Sequence, residues 1–151
     1  MCSILEEFGP YLRVNTVMST GATFLVEICR ARNVKEATIL KCVEELVENG
    51  GANLDLATFE AQNSKLTALC VASVRGMPKV VKYLSEKGAS RDIRCSGRFR
   101  LYTNARKSVR CNDSTALEFA QEMKKAELEE GSSEQNVGNL KKCIKLLQKY
   151  E

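Results

Sequence analysis

Between Arg91 and Asn112 the chain carries Arg91, Arg94, Arg98, Arg100, Arg106, Lys107 and Arg110 against a single acid, Asp92. That window has a net charge of +6 in a chain whose total is +4, so everything outside it sums to −2. Guanidinium groups make bidentate contacts with carboxylates and supply long-range steering charge, so the chemistry on offer is recognition of anions. Along Arg98, Phe99, Arg100, Leu101 and Tyr102 charged and apolar residues alternate. This suits an extended arm with its arginines on one side and Phe99 and Tyr102 available for packing. We expect an elongated hairpin finger presenting Arg94, Arg98, Arg100, Arg106, Lys107 and Arg110 to an acidic partner. The plainer alternative is a solvated loop with Phe99 or Tyr102 folded back on the body.

The other candidate chemistry lies in seven cysteines, Cys2, Cys29, Cys42, Cys70, Cys95, Cys111 and Cys143. None forms C-x-x-C, and with no histidine in the chain a closed zinc site would need four scattered thiolates. Cys29, Cys42 and Cys143 read as small apolar core residues. Cys95 and Cys111 flank the basic segment and are placed to approach one another at its base. No histidine also means no Ser-His or Cys-His nucleophile pair. The chain has no phosphate-binding G-x-x-x-x-G-K-[ST], no G-x-G-x-x-G and no G-x-S-x-G. The acid pairs Glu44/Glu45 and Glu129/Glu130 read as solvated helix faces. No enzyme, cofactor or metal is expected.

The elements that must position the basic segment are clearest from Thr67 to Asp92. Thr67 suits a helix N-cap, Ala72 and Ser73 are small where helices approach closely, and Gly76 suits a tight turn. Val80, Val81 and Leu84 share one helical face, and Gly88 follows the last turn as a left-handed C-cap, ending that helix near Lys87. With Leu69 and Ala89, these offsets resemble those of an ankyrin repeat. Gly21, Thr23, Leu25, Ile28 and Cys29, then Cys42, Val43, Leu46, Gly51, Ala52 and Asp55, resemble an upstream copy, with a long connection from Arg32 to Leu40. Thr115, Leu117, Phe119 and Ala120, then Cys143, Ile144 and Leu147, resemble a downstream one. Between its halves, Glu122 to Asn139 is expected to continue a helix to about Glu130 and then form a mobile connection. The T-P-L-H tetrad of the family reads T-F-L-V, T-A-L-C and T-A-L-E here. The missing histidine removes an inter-repeat hydrogen bond.

The resemblance implies an all-α ankyrin solenoid with short hairpin-like fingers, one domain over residues 1–151. Its units are a partial or capping unit at 1–20, a first repeat at 21–62, a second with the long basic finger at 63–110, and a third repeat or C-terminal cap at 111–151. Ile4, Leu5 and Phe8 before Gly9 and Pro10 suit either a cap or the last helix of a unit from a longer chain. The final K-L-L-Q-K-Y-E favours a C-terminal cap. The length and the 44% apolar content allow one hydrophobic core. Without a long apolar run or a leader pattern, we expect a chain of the cytoplasm or nucleus, in a reducing compartment.

Ankyrin proteins bind through hairpin tips and the concave side of their first helices. Carried over by position, that face comprises Asn63, Ser64, Leu66, Val74 and Arg75, bordered by Lys87 and Arg94. Ser19, Thr20, Ala22 and Arg30 join it from the first unit, and Asn112, Ser114, Glu122 and Met123 from the third. Phe59 would stand near the first hairpin tip. The leading expectation is a protein-interaction module for a peptide or acidic protein, in a scaffold or ubiquitin-pathway protein, with ubiquitin one candidate ligand. The alternatives are nucleic-acid binding by the arm, through phosphate contacts and base stacking on Phe99 and Tyr102, and a structural spacer within a larger protein.

Overall fold

The computed structural model describes residues 13–58 and 64–150. Among them are helices α1 (Phe24–Arg30), α2 (Glu36–Glu48), α3 (Ala68–Val74) and α4 (Pro78–Glu86), strands β1 (Cys95–Arg100) and β2 (Ser108–Ser114), and helices α5 (Ala116–Glu129) and α6 (Glu134–Lys149). The all-α solenoid expectation is therefore corrected: six helices and a two-stranded antiparallel sheet make this a mixed α/β fold. The cause is the inserted basic segment. Its length lets two strands satisfy each other's backbone groups and bury one face on the helices.

Each helical pair opens on a threonine. The hydroxyls of Thr23, Thr67 and Thr115 accept hydrogen bonds from the amides of Val26, Cys70 and Glu118 at the starts of α1, α3 and α5. Thr115 completes a capping box, because the Glu118 carboxylate accepts from the Thr115 amide in return. The N-terminus of α4 lacks a cap of its own, and Glu36 of α2 supplies one by accepting from the amides of Lys79 and Val80. Gly76, at φ +65°, makes the turn from α3 to α4, and Gly88, at φ +90°, ends α4 where a side chain would be strained.

Two sequence boundaries need correction. The connection expected over Arg32 to Leu40 is mostly helix, since α2 begins at Glu36 and buries Ile39. The mobile connection expected up to Asn139 is also helical from Glu134. Ser133 accepts from the Asn136 amide as N-cap, and burial of Val137 and Leu140 holds the turns that follow.

The pairs pack side by side in two rows, α1 on α3 on α5 and α2 on α4 on α6. The core between them holds Leu25, Val26, Val43, Leu69, Val71, Val80, Leu84, Phe119 and Leu140, all nearly or fully buried. Cys29, Cys70, Cys95, Cys111 and Cys143 are buried within the protein, and Cys42 is partly buried. Their small apolar side chains fit the tight spacing of the rows.

Strand β1 pairs antiparallel with β2, with Phe99 opposite Val109, Arg98 opposite Arg110 and Gly97 opposite Cys111. One extra residue on β2 shifts the register near Asp113, which adopts φ +55°. Strand alternation turns Gly97, Phe99 and Leu101 to one face, which lies on the helices. Phe99 meets Phe119 edge-on with ring centroids 5.4 Å apart, and Leu101 is buried. A Cβ on Gly97 would lie 2.9 Å from Leu66 Cδ2, so the close approach of strand and core depends on glycine here.

Candidate functional site

The hairpin lies back along α5, and its tip is fastened there by polar side chains. Glu127, fully buried, accepts the Tyr102 amide at Oε1 and the Thr103 hydroxyl at Oε2, the latter at 2.6 Å. Glu130 accepts from Lys107 and from the Asn104 side-chain amide, and these partners hold its carboxyl below the ordinary value of 4.5. The Tyr102 hydroxyl donates to the Arg75 carbonyl at 2.8 Å, beyond the end of α3. The Arg75 guanidinium donates in turn to the carbonyls of Cys29 and Ala31, both at 2.7 Å, where α1 ends. A cation there satisfies free carbonyls and complements the helix dipole. Arg75 thus ties α1, α3 and the hairpin together.

This clasp leaves a groove of about 890 Å³ between the hairpin and the ends of α1 and α3. Arg30, Arg32 and Asn33 line one side, Arg98 to Tyr102 the other, and Val74, Arg75 and Met123 also contribute. Among the described residues five arginines, at 30, 32, 75, 98 and 100, meet one acid, Glu27, which lies 3.5 Å from Arg30. Arg98 and Arg100 are exposed, and neither has an ion pair among the described residues. Arg98 donates through Nε to the Ser108 hydroxyl at 2.6 Å and stands opposite Arg110 across the ladder. Like charges directly opposed on a sheet repel, so this face favours a bound anion.

The residues expected to meet a partner do not all come together. Arg75, Arg98, Phe99, Arg100 and Tyr102 converge on the groove. Arg94, Arg106, Lys107 and Arg110 do not line it. Arg94 donates to the Asp113 carbonyl and faces Glu118 at 3.5 Å, Lys107 pairs with Glu130, and Arg106 and Arg110 are exposed elsewhere on the hairpin. Leu66 and Val74 are corrected: both are buried, at 2% and 1% exposure. Leu66, two residues ahead of α3, sits beneath Gly97 of the hairpin, and Val74, though buried, lines the groove. Ser64 is half-buried. Phe59 and Asn63 lie outside the described residues.

Sequence reasoning missed Arg32 and Asn33, which lie in a loop without periodicity, and Glu127. The last had a visible mark, since it falls four residues after Met123 and eight after Phe119, on the apolar stripe of its helix. In the ladder Cys111 lies opposite Gly97 and Cys95 opposite Ser114, and both are free thiols that interact with Cys70. The Cys95 thiol shares a hydrogen bond with Cys70 that pushes the Cys70 thiol well up. Together with contacts from Thr67, the same bond draws Cys95 down to about 6. Burial pushes Cys29 and Cys143 up to about 12. Among the described residues no cluster of cysteines and acids could hold a metal ion, and no helix is long and apolar enough to cross a membrane.

Compared with known proteins, the chain matches no protein-family model and no curated protein sequence.

Proposed function

We propose that this chain is a non-enzymatic protein-interaction module whose groove takes an acidic peptide segment of a partner protein. The observation that carries this reading is the groove itself, where, among the described residues, five arginines from three separate parts of the chain converge against one glutamate. Each guanidinium can bind a carboxylate in bidentate fashion, and the summed charge steers an anionic chain toward the site. The unit from Thr67 to Asp92, read as an ankyrin repeat within this mixed fold, supports an interaction role, and the thiol-rich core suits the reducing cytoplasm or nucleus. The nucleic-acid alternative loses one of its two stacking aromatics, because Phe99 is packed edge-on against Phe119, which leaves Tyr102 alone exposed.

The test is a fluorescence-anisotropy titration with a glutamate-rich peptide and its glutamine counterpart. The acidic peptide alone should bind, and Arg98→Glu with Arg100→Glu should weaken it about tenfold or more. Raising salt from about 0.05 M to about 0.5 M should weaken it further. Equal binding of both peptides, or no effect of the double reversal, would remove the reading.

A further inference from the structure

The solvent face of the hairpin gathers three cations around one hydroxyl. Strand alternation puts Arg98, Arg100, Ser108 and Arg110 on the side away from Phe99 and Val109, with Arg100 opposite Ser108 and Arg98 opposite Arg110. Opposed residues stand about 5 Å apart and their next neighbours on the same face about 7 Å, so all three arginines lie within side-chain reach of the serine. The Ser108 hydroxyl accepts from Arg98 Nε at 2.6 Å. All three arginines are exposed, and none has an ion pair among the described residues. The other hydroxyls of the hairpin are committed as donors: Ser96 to the Asn112 side chain, Tyr102 to the Arg75 carbonyl, Thr103 to Glu127 and Ser114 to the Asn112 carbonyl. The Ser108 hydroxyl donates to nothing among the described residues. It opens β2, directly after the exposed turn residues Arg106 and Lys107.

We infer that Ser108 is a phosphorylation site whose phosphate is held by Arg98, Arg100 and Arg110. The donor is a nucleoside triphosphate, and the catalyst is a protein kinase that accepts basic residues on both sides of its serine, here Arg106 and Lys107 before it and Arg110 after it. Ser108 Oγ attacks the γ-phosphorus and loses its proton to the kinase's base. The new O–P bond replaces the one to the β-phosphate, which leaves as part of the nucleoside diphosphate. Ser108 ends the ladder, so opening its pair with Arg100 and releasing Lys107 from Glu130 frees it for the kinase. When the hairpin recloses, a group of charge about −1.5 to −2 stands among unpaired guanidiniums, which bind phosphate in bidentate fashion. Arg98 and Arg100 also line the groove, so the phosphate withdraws two of its five arginines from an acidic peptide. That consequence rests on the proposed function, whereas the site itself does not.

The experiment uses the full chain in two forms. With phosphoserine installed at position 108 during translation, phosphorus NMR should find the second ionisation of the phosphate at least about one pH unit lower than in the same protein carrying Arg98→Gln and Arg110→Gln. Equal values overturn the cradle. The unmodified chain, incubated with ATP and protein kinase C, should gain a phosphate that mass spectrometry maps to Ser108 and that Ser108→Ala lacks. A free peptide of residues 102–112 serves as the control for sequence preference. Labelling of that peptide but not of the folded chain overturns the site on access, and failure to label either overturns it on sequence. Phosphoserine at 108 should also weaken binding of the glutamate-rich peptide about tenfold or more. Unchanged affinity overturns the control of the groove. If the unmodified chain does not bind that peptide at all, the groove reading falls, while the ionisation and the labelling still decide the Ser108 site.

Discussion

Removal of Glu127 should cost the protein more than any surface acid, and the structure indicates how the cost divides. The carboxylate is fully buried and accepts two hydrogen bonds from the hairpin tip, one from a backbone amide and one from a hydroxyl. Hydrogen bonds to a charged group contribute about 1.5–3 kcal/mol each, so Glu127→Ala should lose about 3 kcal/mol, the low end of the sum. The low end applies because Tyr102, 48% exposed, lets water reach part of the released tip. Glu127→Gln should cost only about 1 kcal/mol, because its carbonyl can still accept the Tyr102 amide while its amide donates to a rotated Thr103 hydroxyl. Urea denaturation followed by circular dichroism gives both values. A double-mutant cycle with Thr103→Val should show coupling of about 1–2 kcal/mol. An alanine cost below about 0.5 kcal/mol, or a glutamine variant weaker than the alanine one, would refute the anchoring role.

Gly97→Val should destabilise the protein by about 1–3 kcal/mol in the same assay, because its side chain would enter the space that Leu66 fills beneath β1. Thiol titration with a bulky disulfide reagent should leave Cys29, Cys70, Cys95, Cys111 and Cys143 unreacted in the native protein and release all five on unfolding. Rapid native reaction at Cys95 would show that its low proton affinity outweighs its burial. Glu130, held below its ordinary value by Lys107 and Asn104, stabilises the hairpin tip above about pH 4.5, and that contribution is lost as the pH falls through its folded value. Lys107→Ala should therefore shrink the acid-induced rise in hydrogen exchange at residues 101–107, and an unchanged profile would contradict the pairing.

Much of the helical framework was legible because its determinants are local. Thr67 caps α3, and Gly76 and Gly88 sit at left-handed positions only glycine adopts readily. The alternation from Arg98 to Tyr102 marked the strand for a similar reason, since two residues per period are visible without any partner. What could not be read was where the hairpin would come to rest. Its return onto α5 covers Leu66, converts Phe99 from a presented aromatic to a packed one, and recruits Glu127 to the interior. None of these contacts is local in sequence. The start of α6 was missed because Gly131 and Ser132 read as the beginning of a loop, when the turn is short and Ser133 caps a helix whose buried face begins with Val137. The site was half visible: the arm's arginines were found by charge, whereas Arg32 enters only because α1 ends beside the hairpin.

The most direct measurement is amide chemical-shift mapping of the isotope-labelled protein during titration with the glutamate-rich peptide. The account predicts that the perturbed amides gather on residues 30–33, 74–75 and 98–102, with the largest changes at Arg98 and Arg100. Changes confined to Arg106, Lys107 and Arg110, or spread over the second helices α2, α4 and α6, would place the interaction elsewhere and contradict it.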